Sequence, residues 1–103
     1  MTNTANENRK YLEAVSQELK DSYNNGEIYE YINNNVLDVE YSLNSLKELI
    51  GVNLYITLGG PTVWIDTRDC TLTIAWGCER DQLGVYSDIC EEITTIFADD
   101  FSI

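Results

Sequence analysis

The spacing of apolar residues changes twice along this chain, and this change constrains the fold more than any other feature. Up to about residue 33, apolar residues recur every three or four positions, and they do so again from about residue 86. Between residues 37 and 76 they recur at every second position. The first spacing is typical of an amphipathic helix and the second of a half-buried strand. The pattern therefore predicts helical segments on both sides of a sheet.

The first helix is predicted to begin at a capping box, with Thr4 as the N-cap and Glu7 three residues later. Residues 1–3 are expected to fray. The apolar face of the helix carries Leu12, Val15 and Leu19. Asn24-Asn25-Gly26 is expected to end it, because these residues tolerate the left-handed conformation of a C-cap. Residues 27–33 are predicted to form a short second helix or an extension of the first.

Four strands are predicted between the helical segments, at about residues 37–43, 52–58, 62–66 and 71–76. The sequence Gly59-Gly60-Pro61 between the second and third runs favours a tight turn. Residues 44–50 are predicted to form a polar connection. The stretch from Gly77 to Gly84 lacks the alternation and is predicted to be irregular. A last helix is predicted from about Tyr86, with Ile89, Ile93, Ile96 and Phe97 on its apolar face.

The predicted fold is a two-layer α+β domain. Short connections between consecutive strands favour antiparallel pairing. Each strand has one apolar face, so one layer of helices is enough to cover the sheet. The expected architecture is an N-terminal helix, a four-stranded antiparallel sheet and a C-terminal helix, in a single domain over residues 1–103.

The face of the sheet turned away from the helices is predicted to be polar and acidic, with two large aromatic side chains. It would carry Asp38, Glu40, Ser42, Asn53, Tyr55, Thr57, Thr62, Trp64, Asp66, Thr71 and Thr73. Exposed aromatic rings stabilise cross-strand pairs in sheets, but rings amid polar residues are also enriched at binding hot spots. Both interpretations stay open. The candidate partner-binding residues on this face are Asp38, Glu40, Tyr55, Trp64 and Asp66.

A second acidic surface is predicted on the C-terminal helix, where Asp88, Glu91 and Glu92 form a stripe. Such a stripe is often only a solvated helix face. The whole chain, however, has 18 acidic and 6 basic side chains and a net charge of −12. This charge repels nucleic acid and attracts basic clefts. Asp88, Glu91 and Glu92 are therefore further candidate partner-binding residues, and an acidic protein of this kind can occupy a site built for phosphates.

Several kinds of chemistry are not expected from this sequence. The chain has no histidine, which excludes Ser-His and Cys-His catalysis, and no catalytic residue, metal site or cofactor is predicted. Six scattered cations do not favour direct nucleic-acid binding. No apolar run approaches the roughly 20 residues of a membrane span, and no signal peptide is visible, so a cytoplasmic location is expected. Cys70, Cys78 and Cys90 have neither disulfide-framework nor zinc-site spacing and are expected to be reduced.

Four short motifs of this chain occur together in a known group of proteins. They are Val36–Tyr41, Leu58–Pro61, Ile65–Arg68 and Trp76-Gly77. In these motifs the chain resembles small acidic proteins of plasmids, phages and conjugative elements of Firmicutes, and it is similar to the type II-A anti-CRISPR proteins among them. The resemblance implies an inhibitor, not an enzyme, that binds a basic nucleic-acid site on a CRISPR effector nuclease. It implies that the inhibitor blocks guide RNA loading or occupies the site that reads the motif adjacent to the DNA target.

Two alternatives from other classes stay open. The chain could be a homodimeric regulatory or interaction protein of a mobile element, which would associate through the open sheet face or an exposed edge strand. It could also be a carboxylate–metal nuclease, because Asp66 and Asp69 flank a strand end near Asp38 and Glu40, and Mg²⁺ prefers oxygen ligands.

Overall fold

The computed structural model describes the backbone of residues 2–101 and the side chains of residues 5–99. Its elements in chain order are α1 (Thr2–Asn24), α2 (Ile28–Asn35), β1 (Asp38–Leu43), β2 (Leu49–Thr57), β3 (Thr62–Asp66), β4 (Thr71–Trp76), β5 (Glu79–Gly84) and α3 (Ser87–Phe101). The strands form one antiparallel sheet in the order β1-β2-β3-β4-β5. The predicted α+β class, with an N-terminal helix, an antiparallel sheet and a C-terminal helix, is confirmed.

The sheet has five strands where four were predicted, and β5 lies in the segment predicted to be irregular. It pairs with β4 from Glu79 opposite Trp76 to Gly84 opposite Thr71. Its one large apolar residue, Leu83, faces the helices. The other central residue on that side is Asp81, where a second apolar residue would be expected. Charged residues are common on edge strands, where they oppose pairing with other chains. The usual alternation is therefore absent from β5, and the pattern did not reveal it.

One face of the sheet packs against the helices, and it is the predicted apolar face. Helix α1 packs on β4 and β5, α3 packs on β2, and α2 contacts both α1 and α3. The buried cluster between the layers consists of Leu12, Val15, Leu19, Ile28, Tyr31, Ile32, Val52, Leu54, Val63, Ile65, Leu72, Ile74, Ile89, Ile93 and Phe97. Each large apolar side chain that is fully buried here contributes roughly 1.5–3 kcal/mol to stability. The residues between them on the strands face the other way.

The helix ends differ from the prediction at one place. Helix α1 begins at Thr2, so Thr4 lies inside the helix and is not its N-cap. No glycine or proline occurs in the first residues, so nothing in the backbone stops the helix there. The predicted fraying is therefore wrong for residues 2 and 3, and Met1 lies outside the described residues. The end of α1 is as predicted, since Gly26 follows with a φ of 70°. Helix α2 confirms the short second helix.

No helix within residues 2–101 has the length and apolar character that crossing a bilayer requires.

Candidate functional site

Five of the candidate partner-binding residues lie together on the uncovered face of the sheet. We name them the acidic–aromatic patch: Asp38, Glu40, Tyr55, Trp64 and Asp66. Asp38, Tyr55 and Trp64 are cross-strand neighbours in one row over β1, β2 and β3. Glu40 and Asp66 occupy the adjacent row, on either side of one β2 residue. Opposed residues in a sheet have Cβ atoms about 4.5–5.5 Å apart, so the patch is continuous.

Tyr55 is the centre of the patch and joins its aromatic and acidic parts. Its hydroxyl donates a hydrogen bond of 2.7 Å to Glu40 Oε1. Its ring lies 6.0 Å from the Trp64 ring, with 37° between the ring planes. The hydrogen bond to Glu40 is the main cause that raises the pKa of Tyr55, followed by burial and by the carboxylates nearby. Tyr55 therefore stays a neutral donor, and it holds the Glu40 carboxylate in one position.

The other two carboxylates of the patch also bond to the backbone. Asp66 Oδ1 accepts hydrogen bonds from the amides of Arg68 at 2.9 Å and Asp69 at 3.3 Å, so it holds the turn between β3 and β4. Asp38 Oδ1 accepts a bond from the Val39 amide at 2.8 Å. Removal of Asp66 would disturb this turn as well as the surface charge. Asp38 and Glu40 are therefore the better probes of the patch.

Two arginines frame the patch. Arg68 follows Asp66 closely in the chain and was expected near these carboxylates, whereas Arg80 was not. The Arg80 guanidinium carbon of β5 lies 5.2 Å from the centre of the Trp64 ring. The Arg68 side chain lies over Gly51 of β2 so closely that a Cβ on this glycine would overlap the Arg68 Cγ. Arg80 was missed because its strand was predicted to be irregular. The only sequence signal for the contact between Arg68 and Gly51 was a glycine in the middle of a strand, which often marks the close approach of another group.

One predicted member of the open face is not accessible. Thr73 lies on this face, in the same row as Trp64 and Gln82, but it is only 3% exposed. A threonine is shorter than its two neighbours in the row, and Arg80 stacks on one of them. The long side chains therefore cover Thr73. Arg80 and Gln82 of β5, on the same face, are exposed.

The other three candidate residues lie on α3 and are not brought together with the patch. Asp88 and Glu91 are exposed and Glu92 is half-buried. Helix α3 contains five acidic residues and no basic one, and it packs on the opposite side of the sheet from the patch. The molecule therefore has two separate acidic surfaces. The patch carries aromatic rings and bordering arginines, whereas the α3 surface carries carboxylates.

A cavity of about 470 Å³ lies between α3 and the turn that joins β3 to β4. Its lining consists of Thr67, Cys70, Ser87, Cys90, Glu91, Thr94, Thr95 and Ala98. Burial, and then a hydrogen bond with the Cys70 thiol, raises the pKa of the Cys90 thiol well above its usual range. Cys78 lies elsewhere and is exposed. Within residues 5–99, no three His, Cys, Asp or Glu side chains group together as metal ligands.

Comparisons with protein-family models, curated proteins and solved structures give no match to this chain. The motifs of the sequence resemblance lie at the beginnings and ends of strands. Leu58–Pro61 joins β2 to β3, and Ile65–Arg68 runs from β3 into its next turn. Gly59 and Gly77 have φ angles of 102° and 58°, which side-chain-bearing residues rarely adopt. The turns thus account for these glycines, and a functional argument has to rest on the exposed surfaces.

Proposed function

We propose that this protein is an anti-CRISPR inhibitor that binds a basic nucleic-acid site on a type II-A CRISPR effector nuclease. The acidic–aromatic patch is the observation that carries this proposal. Effector nucleases of this kind hold RNA and DNA in positively charged channels that contact the phosphate backbone. Asp38 and Glu40 would meet lysine and arginine side chains of such a channel, and Tyr55 and Trp64 would pack between them. The choice of a type II-A CRISPR effector nuclease as the target rests on the resemblance of the four motifs.

The physical properties of the patch suit an inhibitor that acts by occupying a site. Its residues lie on three paired strands, so little conformational freedom is lost on binding. The hydrogen bond from Tyr55 to Glu40 already fixes two of the side chains that would form the interface. The net charge of −12 accelerates encounter with a basic surface, and added salt weakens this attraction. Binding and inhibition should therefore both decline as salt concentration rises.

The step that the inhibitor blocks is proposed to be guide RNA loading. A protein in the empty channel excludes the RNA, whereas an RNA already in the channel excludes the protein. The proposed action needs no cofactor and no catalytic residue, and it takes place in the bacterial cytoplasm, where the effector meets its guide. The order in which protein and RNA reach the effector therefore decides whether inhibition occurs.

An order-of-addition cleavage assay tests the proposal. The effector nuclease is mixed with this protein before or after the guide RNA, DNA cleavage is measured, and the guide is inspected on a gel. Inhibition only when the protein is added first supports competition for guide loading. Equal inhibition in both orders, with an intact guide, would mean that the protein blocks DNA binding and not guide loading. A shortened guide would mean that this protein is itself a nuclease. DNA cleavage at the normal rate in both orders would contradict the proposal.

A matched pair of variants distinguishes the two acidic surfaces. Asp38→Asn with Glu40→Gln removes two charges from the patch, and Glu91→Gln with Glu92→Gln removes two from α3. Both pairs change the net charge equally, so a general effect of charge would weaken inhibition equally. We expect the patch variant to raise the half-inhibitory concentration at least tenfold and the α3 variant to change it less than threefold. The reverse result would assign binding to α3.

A homodimer is the second candidate function, and the tip of the β1–β2 hairpin favours it. Four large apolar residues are exposed in this region: Tyr41, Leu43, Leu46 and Ile50. Exposed apolar groups in one region often mark a protein interface. Light scattering of the wild-type chain and of Leu46→Lys tests this candidate. A dimer mass that falls to the monomer mass in the variant would support self-association through this hairpin.

A further inference from the structure

A cleft of about 430 Å³ lies between the first turns of α1 and the ends of β3 and β4. It is lined by Glu7, Asn8, Tyr11, Pro61, Ile74 and Trp76. Its volume is within the range of sites that bind small molecules or single side chains, roughly 300–1,000 Å³. Ile74 and Trp76 belong to the apolar face of β4, so the cleft lies on the helix side of the sheet. The acidic–aromatic patch lies on the opposite side.

Two side chains of the cleft lining, Tyr11 and Trp76, are aromatic, and the Trp76 ring is packed against the backbone. Tyr11 and Trp76 are 38% and 45% exposed, so a ligand in the cleft can contact both rings. The Trp76 ring packs on Gly60, where an added Cβ would lie 2.8 Å from Cζ3. A residue with a side chain at position 60 would push the ring away. Gly60 thus leaves room for the Trp76 ring beside Pro61. The cleft is therefore already formed in the absence of a ligand.

Two other aromatic rings of this chain show what kind of group such rings attract here. Arg80 lies over Trp64 at 5.2 Å, and the Lys20 Nζ atom lies 4.9 Å from the centre of the Tyr86 ring. Among the side chains of residues 5–99, no lysine or arginine lies over either ring of the cleft. The cleft has, in addition, the carboxylate of Glu7 at its edge. Two ring faces and a carboxylate together attract a cation.

The chemistry of the lining, two aromatic rings and a carboxylate, favours arginine over lysine. A guanidinium group is planar and weakly hydrated, so it stacks on aromatic rings and at the same time donates two hydrogen bonds to a carboxylate. An ammonium group is more strongly hydrated and has no flat face. We infer that this cleft binds an arginine side chain that a partner protein presents. The inference goes beyond the proposed inhibition and does not depend on it, because the patch and the cleft lie on opposite sides of the sheet.

NMR spectroscopy of the full chain tests the inference with a defined probe. The probe is the capped tripeptide Gly-Arg-Gly, compared with capped Gly-Lys-Gly and with spermidine at low salt. The chain has two tryptophans, so the indole N–H signals of Trp76 and Trp64 report separately on the cleft and the patch. We expect a saturable shift of the Trp76 signal, with the arginine peptide binding at least about threefold more tightly than the lysine peptide. The Trp64 signal should move little.

Other outcomes of this titration overturn the inference. A shift that does not saturate, or one confined to Trp64, would show that the cleft does not bind the peptide. Equal affinity for the arginine and lysine peptides would show a response to charge alone. Tighter binding of spermidine than of the arginine peptide would indicate a site for a free polyamine and not for a protein side chain.

A pair of substitutions in α1 provides the matched control. Glu7→Gln removes the carboxylate of the cleft, and Glu13→Gln removes an exposed carboxylate of the same helix that is outside the cleft lining. We expect Glu7→Gln to weaken binding of the arginine peptide about fivefold and Glu13→Gln to leave it within twofold. Equal weakening by both would show only the general field of the acidic chain and would overturn the inference. Circular dichroism of both variants verifies that the fold is intact.

Discussion

Arg9 of α1 donates a hydrogen bond of 2.7 Å to Asp81 of β5, and this ion pair joins residues 72 positions apart. The two side chains are 41% and 27% exposed, so the pair lies at the boundary between core and solvent. Asp81 stands opposite Ile74 on the helix side of the sheet, where an apolar residue is usual. The ion pair therefore takes the place of an apolar contact between the first helix and the edge strand.

We expect Asp81→Asn to lower the free energy of unfolding by about 1 kcal/mol, because the Arg9 guanidinium loses its charged partner at a half-buried site. Asp81→Leu should be within about 0.5 kcal/mol of wild type, since leucine adds apolar contact beside Ile74 and Leu83. Urea unfolding of both variants measures the difference. A larger loss for leucine than for asparagine would mean that this position needs a polar partner for Arg9 and does not accept an apolar contact.

The close approach of Arg68 to Gly51 gives a second stability prediction. Gly51→Ala should destabilise the fold by about 1–3 kcal/mol, because the new methyl group overlaps the inner part of the Arg68 side chain. Gly51 does not have a positive φ, so the backbone itself accepts alanine. Arg68→Ala should therefore relieve most of the loss in the double variant. Thermal unfolding of the two single variants and the double variant checks this, and purely additive losses would contradict it.

Stability should fall in alkaline solution through Tyr31. Its burial, and secondarily the charge of Glu18, raises the pKa of Tyr31 above that of a tyrosine in the unfolded chain. Above about pH 10 the unfolded chain releases this proton while the folded chain retains it, so the free energy of unfolding falls as pH rises, by at most about 1.4 kcal/mol per pH unit. Tyr31→Phe removes this contribution. Urea unfolding between pH 9 and 11 should give a flatter profile for the variant, and parallel profiles would argue against this role.

Two of the three thiols, Cys78 and Cys90, should react at very different rates. The thiolate is the reactive form, so a raised pKa and burial both protect a cysteine. Cys78 is exposed and Cys90 is buried with a raised pKa. At pH 8 we expect iodoacetamide to modify Cys78 first and Cys90 only on unfolding, as peptide mass spectrometry would show. Cys78→Ser should abolish the fast phase of modification. Fast modification of Cys90 in the folded chain would contradict the burial of its thiol.

The sequence was sufficient to predict the faces of the main helices and of four strands, because burial imposes a period on each of them. The same period placed Tyr55 and Trp64 on the open face, since a shift by one residue would have buried them and exposed Leu54 and Ile65. The strand β5 escaped prediction because an ion pair, and not an apolar side chain, fills one of its inward positions. No local pattern encodes a contact between residues 9 and 81.

The contacts of the two arginines beside the patch could not be predicted for a related reason. Arg80 reaches Trp64 only because β5 pairs with β4, and Arg68 covers Gly51 only because the antiparallel pairing of β2 and β3 brings the residues after Asp66 beside those before Asn53. Both contacts depend on the register between strands that are distant in sequence. The periodicity had already assigned the acidic residues to a sheet face and a helix, and the structure places these two acidic surfaces on opposite sides of the sheet.

The order of the strands has a consequence for a chain that folds during its synthesis on the ribosome. Each strand pairs with its neighbour in sequence, so the sheet can grow stepwise as residues emerge. Helix α1 precedes the sheet but packs on β4 and β5. The apolar stripe of Leu12, Val15 and Leu19 can meet α2 early, but it lacks its partners in the sheet until β4 and β5 have been made. A nascent chain that is stalled before β5 presents this stripe to chaperones and to other nascent chains.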